Sequence, residues 1–389
     1  MNQWIYFDNS ATTALCPEAK AAMTEAMEIY GNPSSLHGAG QAAHALLEKA
    51  RGQVASALGV RLTRPFELIF TASGTEANNQ AILGSVYAKA RRIGNRIITT
   101  DCEHPSVAAT MERLAKEGFE IVRIPTKGGV LDVQAAIEAL EVPTALVSMM
   151  LVNNETGARF EVEKVFAAAK KKHPETVTHC DCVQGFLKVP FTPASLKADL
   201  VTVSGHKIHG PKGVGALYVS PAIHKAKQLI PYLWGGGQEN GFRAGTENLL
   251  GIVGFGAACA VMTARKQENM DRMLALRTRL EEILSEEDVT LNIPAGQRAP
   301  HVLSVTLPDI KSQTFLNFLS AKGICVSSGS ACSAKATHPS ASLLAFGLTP
   351  AEADCTIRVS LCENNTEDEI EALCDAILEG VDHLVRIKR

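Results

Sequence analysis

A lysine stands just beyond an apolar strand. Residues 199–203 lead into Ser204-Gly205-His206-Lys207-Ile208-His209-Gly210-Pro211-Lys212-Gly213. An amine partly dried by such surroundings gives up its proton readily and condenses with a carbonyl to form a Schiff base. Ser204 and His206 flank it with a hydroxyl and an imidazole suited to donate to a phosphate. Residues 205–212 have the outline of a P-loop, but Pro211 replaces the required glycine and no Ser or Thr follows Lys212. Lys212, in a Gly-Pro-Lys-Gly turn, reads as a solvated surface charge, so Lys207 is the candidate.

Two further strand ends carry complementary chemistry. Residues 176–180 run into Asp181, with Gln184 three positions on. A carboxylate at the end of a buried strand is costly unless it meets a cation, and a protonated pyridine nitrogen is such a partner. Gln184 is placed to hydrogen-bond a ring hydroxyl oxygen. Residues 67–71 form an apolar strand followed by Ala72-Ser73-Gly74-Thr75-Glu76-Ala77-Asn78 and a helix. A small-residue turn at a helix start offers backbone N–H groups and the positive end of the helix dipole to a phosphate, although alone it also reads as an ordinary helix cap. Schiff-base lysine, pyridinium-pairing aspartate and phosphate seat together make the parts of a pyridoxal 5'-phosphate (PLP) site.

The elements that must position these groups follow from periodicity. Strand-like runs occur at 67–71, 96–100, 120–124, 145–151, 176–181, 200–203 and 215–219, with helical patterns between most of them, as at 41–58, 76–91, 106–116 and 161–172. This alternation predicts an α/β domain with a mostly parallel, seven-stranded sheet covered on both faces. After Gly256 a long helical pattern runs through Met262, Met273, Leu276, Leu280 and Ile283, followed by a mixed α+β region. Thr366-Glu367-Asp368-Glu369 is a capping box that opens a terminal amphipathic helix. Residues 327–336, Ser-Ser-Gly-Ser-Ala-Cys-Ser-Ala-Lys-Ala, are nearly all small and hold a single thiol, Cys332. Such a segment has little to anchor it by packing and is expected to be a mobile loop.

Composition excludes several classes. Of the 389 residues 46% are hydrophobic, enough for a large core, and 38 Lys+Arg against 41 Asp+Glu argue against a nucleic-acid or acidic-membrane coat. No apolar stretch approaches bilayer length, and the N-terminus lacks the features of a signal peptide, so a cytoplasmic protein is expected. The 10 cysteines contain no C-x2-C pair. Strand alternation points Cys180 and Cys182 away from His179, so no metal is expected there, and most thiols read as small core residues in a reducing compartment.

Ser73-Gly74-Thr75-Glu76-Ala77-Asn78, Glu103-His104, Asn153-Asn154-Glu155-Thr156-Gly157, Ser204-Gly205-His206-Lys207 and Arg243-Ala244-Gly245-Thr246-Glu247-Asn248 resemble the cysteine desulfurases of the NifS/IscS group, fold-type I, class V PLP enzymes. The likeness runs from Phe7-Asp8-Asn9-Ser10-Ala11-Thr12-Thr13 to Ile357-Arg358-Val359-Ser360-Leu361. Ser327-Ser328-Gly329-Ser330-Ala331-Cys332 resembles the group I loop. The resemblance implies that Lys207 holds PLP and moves the substrate Cα proton, that His104 stacks on the ring, and that Asp181 and Gln184 meet the pyridinium and the phenolic oxygen. It further implies that Thr75, Ser204 and His206 hold the phosphate, joined by Thr246 of a second subunit, that Asn154 and Arg358 bind the substrate carboxylate, and that Cys332 takes sulfur from L-cysteine as a persulfide. Without it, Arg358 reads as a surface ion-pair residue.

A large domain over residues 16–256 and a smaller one over 1–15 and 257–389, carrying the cysteine loop at about 325–342, are then expected. So are a homodimer, a sulfur acceptor such as an iron–sulfur scaffold, and no direct nucleic-acid or membrane partner. The alternatives are another class V reaction, transamination or selenocysteine lysis, and a non-catalytic sulfur-transfer scaffold. Three positions depart from the family pattern. Cys182 stands where alanine is usual, opposite His104 across the expected ring, and reads as a space-filling residue. Cys362-Glu363-Asn364 replaces a glycine-containing turn, and Ala158-Arg159 follows Gly157 where apolar or amide side chains are usual.

Overall fold

The computed structural model describes residues 4–90, 93–328 and 339–386. In chain order the strands are β1 (Ile5–Tyr6), β2 (Leu68–Thr71), β3 (Arg96–Thr100), β4 (Glu120–Ile124), β5 (Thr144–Met150), β6 (Val177–Asp181), β7 (Leu200–Ser204) and β8 (Gly215–Val219). They continue as β9 (Thr290–Leu291), β10 (Val302–Thr306), β11 (Ile324–Cys325), β12 (Ser327–Ser328) and β13 (Thr356–Ser360). The seven strands expected from the sequence form one sheet in the order β2-β8-β7-β6-β5-β3-β4. β8 runs antiparallel to both neighbours, and the pairs from β7 to β4 are parallel.

Alternation along each strand separates two cores. Ile97, Leu146, Leu200 and Leu217 enter one apolar cluster; their chain neighbours Ile98, Val147, Val201 and Ala216 enter another on the opposite face. β5, β6 and β7 are buried at every position, as strands of a sheet covered on both faces are.

A third core is built on the antiparallel sheet β12-β13-β10-β9 and holds Val305, Phe315, Ile357 and Ile370. Phe7, from the start of the chain, is buried in it, because β1 pairs with β11 and Asp8 bridges Ser360. The capping box forms as read: Glu369 N donates to Thr366 Oγ1 at 3.2 Å and Thr366 N to Glu369 Oε2 at 3.1 Å.

The helical pattern after Gly256 is broken. Two helices, Leu249–Ala264 and Lys266–Leu284, meet at Arg265 with a bend of 75°. The first is apolar and glycine-rich and packs on the helix Gly38–Ala57, so closely that a Cβ on Gly256 would lie 2.8 Å from Ala50 Cα. The second sends Leu276, Leu280 and Leu284 into the third core. One straight helix cannot serve both cores, so the chain turns between them. No single helix among the described residues is long and apolar enough to cross a membrane.

The edge strand β2 is held by a buried ion pair. Arg51 grips Glu239 through Nη1–Oε2 at 2.8 Å and Nη2–Oε1 at 2.9 Å, and donates to Leu68 O at 2.6 Å. Glu239 also accepts from Phe70 N at 2.8 Å. Removing one partner leaves a buried charge unmatched, at a cost of ~3–5 kcal/mol. Arg51→Met is therefore expected to lower the unfolding free energy obtained from urea titration by that order. Arg51→Met/Glu239→Leu is expected to recover most of the loss, and a double variant no better than the single one would count against the ion pair as the cause.

Candidate active site

Parallel strands end at one edge, and open α/β sheets bind ligands in the crevice outside their carboxyl ends. Here β2, β3, β5, β6 and β7 deliver Ser73–Thr75, His104, Asn154, Asp181 and Ser204–Lys207 to a single cavity of about 320 Å³. Gln184 and Arg358 line it too, as do Ser10 and Ala11 from the N-terminal segment.

Lys207 follows β7 in a short 3-10 turn, Gly205–Lys207. Its Nζ donates to Ser10 O at 2.6 Å and Ala11 O at 2.8 Å. The amine is thus aimed into the cavity and held there by two backbone acceptors. Asp181, last residue of β6 and 6% exposed, accepts from Asn78 Nδ2 at 2.7 Å and Val183 N at 3.0 Å.

His104 caps the helix Pro105–Lys116 and lines the cavity at once, so its cap role and its site role coexist. Its Nδ1 accepts from Ser106 N at 3.1 Å, which places the ring proton of the neutral imidazole on Nε2. Ser106 Oγ lies 2.8 Å from the same nitrogen and accepts from Asn78 Nδ2 at 2.9 Å. Asn78 therefore links the Asp181 carboxylate to the His104 ring. Burial pushes His104 below the usual imidazole range; the Asp181 charge opposes the shift and that of Lys207 adds to it. A neutral, flat ring is what stacking on an aromatic cofactor requires. His206 is pushed down to about 4, by burial first and then by Lys207, Lys212 and Lys188.

Ser204 Oγ is buried and has no hydrogen-bond partner among the described residues. Beside it, Gly74 and Thr75 open the helix Gly74–Ser85, whose first N–H groups have no acceptor within the helix. An orphaned hydroxyl, a helix start, an amine and a carboxylate in one cavity fit a phosphate-bearing pyridine aldehyde: phosphate at Ser204, Gly74 and Thr75, aldehyde at Lys207, ring nitrogen at Asp181. Gln184 donates to Ser10 O at 2.9 Å and keeps a second amide hydrogen. Its Oε1 lies 3.4 Å from His301 Nε2.

Arg358, on β13, is buried rather than on the surface. It pairs with Asp8 at 2.8 Å and donates to Asn154 O at 3.0 Å, while its buried Nε–H has no hydrogen-bond partner among the described residues. A guanidinium that lines the cavity beside Asn154 suits a substrate carboxylate. Cys182 is fully buried in the apolar core. Thr246 is exposed and lines no part of the cavity. Cys332 lies outside the described residues.

Sequence reasoning assigned no role to Asn78, Ser106, Ser10, Ala11 or Asp8. Asn78 carried a usable signal, since it sits one helical turn after Gly74 and so on the same face. Glu103 was also missed. It is buried, accepts from Thr100 Oγ1 at 2.7 Å and Met150 N at 2.9 Å, and joins the end of β3 to that of β5. Burial, with the Asp181 charge adding, pushes its carboxyl up to about 8.

In the unfolded chain that group ionises near ~4.3. Between the two values the folded protein holds a proton the unfolded chain lacks. This contribution to stability is full below the unfolded value and is lost as pH rises through about 8. Its slope is ~1.4 kcal/mol per pH unit for one proton. Glu103→Gln removes the group, so the Tm of the variant relative to wild type is expected to rise from pH ~5 to ~9. Parallel Tm–pH curves for the two proteins would defeat this assignment.

The family description "Aminotransferase class-V" matches residues 5–373. The chain belongs to this family. Class V members are PLP-dependent, in accord with the cavity chemistry. The chain is similar to the "Cysteine desulfurase" of Trichormus azollae, at 38% identity over 98% of this chain and 93% of that protein. It is similar also to "Cysteine desulfurase IscS" of Methanosarcina thermophila, at 37% identity over 98% and 93%. Among solved structures, a "NIFS-LIKE PROTEIN" superposes with a TM-score of 0.90 at 36% identity, covering 98% of this chain and all of that one. "SspA in complex with cysteine" superposes at 0.79 with 31% identity over 93% and 99%. The α/β architecture with its mostly parallel sheet is thus that of NifS-like, fold-type I proteins.

Proposed function

We propose that this class V protein is a PLP-dependent L-cysteine desulfurase that passes sulfur from its substrate to Cys332. The observation that carries the reading is the convergence of Lys207, Asp181, Ser204 and Arg358 on one cavity, amine and arginine both directed inward. Bound PLP supplies an electron sink that acidifies the substrate Cα–H and weakens the bond between Cβ and sulfur.

The protein's own groups do the rest. Arg358 and Asn154 hold the substrate carboxylate. Lys207 takes and returns the Cα proton, and Asp181 keeps positive charge at the ring nitrogen. His104, which lines the same cavity, would stack on the ring and could pass a proton through Nε2. The Cys332 thiolate attacks the substrate sulfur; the C–S bond breaks as the S–S bond forms, and Cβ takes a proton to give L-alanine. Sulfur remains on the protein as a persulfide, ready for an acceptor thiol or an iron–sulfur scaffold.

The large domain of this enzyme runs from residue 16 through the helix Leu249–Ala264, whose Cys259 and Met262 lie in its core, and the smaller one comprises 1–15 and the chain from Lys266 on, so the boundary sits beyond the Gly256 expected from the sequence. The working form is a homodimer in which Thr246 completes the phosphate site of the other subunit. Supporting this, the loop that carries Thr246 also exposes Tyr232, Leu233 and Trp234, the last 74% exposed. Cys180, Cys182 and Cys259 are buried thiols that form no disulfide, which suits a reducing, cytoplasmic setting.

The test is incubation of the PLP-loaded protein with L-cysteine, alanine being quantified and sulfur mapped by mass spectrometry. Equimolar alanine and persulfide on Cys332 are expected. A keto acid with no protein-bound sulfur would replace this reading with transamination, and turnover confined to L-selenocysteine would replace it with selenocysteine lysis.

A further inference from the structure

A second donor cluster lies outside the cavity and has no part in the reaction above. His209 stands two residues after Lys207; Cys362 and Glu363 follow β13, which carries Arg358. An imidazole nitrogen, a thiol sulfur and a carboxylate oxygen from these three residues lie within 4.8 Å of one another. His209 Nε2 is 3.2 Å from Glu363 Oε1. Tetrahedral zinc with bonds of about 2.0–2.3 Å sets its ligand atoms about 3.3–3.8 Å apart, so small side-chain adjustments close this set around an ion.

The imidazole is already turned for that task. His209 Nδ1 lies 2.8 Å from Ala14 O, and a carbonyl only accepts, so Nδ1 carries the proton and Nε2 faces Cys362 and Glu363. A backbone carbonyl behind the outer nitrogen is the usual way a metal-binding histidine is held in one tautomer. The supporting backbone is pinned on both sides. His209 N donates to Thr13 Oγ1 at 2.7 Å and Cys16 N to His209 O at 3.0 Å. Cys362 N donates to Asn365 Oδ1 at 2.9 Å and Arg272 Nε to Glu363 O at 2.7 Å. A cavity of about 270 Å³, whose polar lining is His209, Glu363, Asn364, Asn269, Glu18 and the cationic Arg265, adjoins the cluster and gives an entry path and room for a water ligand.

The charge around the cluster is mixed. Thiolate and carboxylate together carry two negative charges, and the thiol proton leaves to solvent when the sulfur binds. The buried Lys188 ammonium, which senses both Glu363 and Cys362, opposes a second cation and rules against a purely electrostatic site. The thiolate–metal bond must therefore supply the selectivity, which points to a borderline-soft ion rather than calcium or magnesium. We propose that His209, Cys362 and Glu363 form a zinc site that ties the Lys207 turn to the Arg358 strand. It lies on the segment, Cys362-Glu363-Asn364, that departs from the family pattern.

The test uses PLP-loaded protein carrying Cys332→Ser, so that the reactive loop thiol cannot bind the metal. After treatment with chelator and titration with zinc chloride, one zinc per chain is expected to survive gel filtration and to raise Tm. Adding Cys362→Ser or Glu363→Gln is expected to weaken binding by at least the about 10–100-fold that follows loss of an outer-shell partner. Should Cys362→Ser fail to fold, Glu363→Gln decides alone. No stoichiometric zinc in the Cys332→Ser protein, or equal retention in the cluster variants, would leave only a His209–Glu363 ion pair and overturn the site. Because bound metal and Tm are read directly, the outcome is independent of desulfurase turnover.

Discussion

Lys207→Ala protein is expected to lose at least ~10³-fold in alanine formation from L-cysteine, since one substitution removes both the covalent anchor and the proton carrier. The two losses separate experimentally. Ser204, Thr75, Gly74 and Asp181 remain, so the variant is expected still to take up PLP reversibly. Borohydride is expected to fix the pyridoxyl group to Lys207 in wild type and to no side chain in the variant. A small added amine restores part of a missing proton carrier but none of the anchor, so partial rescue would show which loss dominates. Wild-type turnover in Lys207→Ala, or pyridoxyl trapped on another lysine, would undo the assignment of the cavity. Lys188 and Lys212 are the informative controls. The first is buried away from the cavity wall and the second sits in the turn beyond it.

The second large effect concerns Cys332→Ala. Alanine and persulfide formation are expected to fall by a comparable ~10³-fold, the loss of an attacking nucleophile, while PLP binding is unchanged. Lys207 is intact in this variant, so exchange of the substrate Cα proton with deuterium from solvent is expected to continue. That split distinguishes a thiol that takes sulfur from one that builds the site, because a structural defect would suppress exchange as well. The flanks of this segment are tied to residues at or next to the cavity wall. Ser327 pairs with Arg358 across β12 and β13, and Ser340 Oγ donates to Glu155 Oε2 at 2.5 Å. Cys332 lies four residues beyond Ser328, a span of at most ~14 Å of extended chain. Retained sulfur transfer in Cys332→Ala would move the acceptor role to another thiol.

How much of this was legible without coordinates depended on range along the chain. Lys207 and Asp181 stood out because a charged side chain directly after a run of buried strand residues is costly without a purpose, and that cost is local. The seven-stranded sheet was legible because short strand-like runs alternate with helical patterns, and that alternation implies crossovers and a covered, mostly parallel sheet. The Thr366 capping box is likewise a four-residue device and formed as read.

Longer-range features were not legible. The helical pattern past Gly256 continues through Arg265 without a proline, yet the chain bends there because its two halves belong to different cores. Without the family resemblance, which gave it the substrate carboxylate, Arg358 read as a surface cation, whereas folding buries it against Asp8, 350 residues earlier in the chain. Asn78 and Ser106 became a link between Asp181 and His104 only when two helices met. The sequence by itself determined the strand ends, the caps and the chemistry placed on them, since these depend on neighbours within a turn or a strand. Tertiary structure alone decided which of those ends share a cavity and what faces Lys207. It also decided that His209 meets Cys362 and Glu363, because such contacts join segments whose separation leaves no periodic trace in the chain.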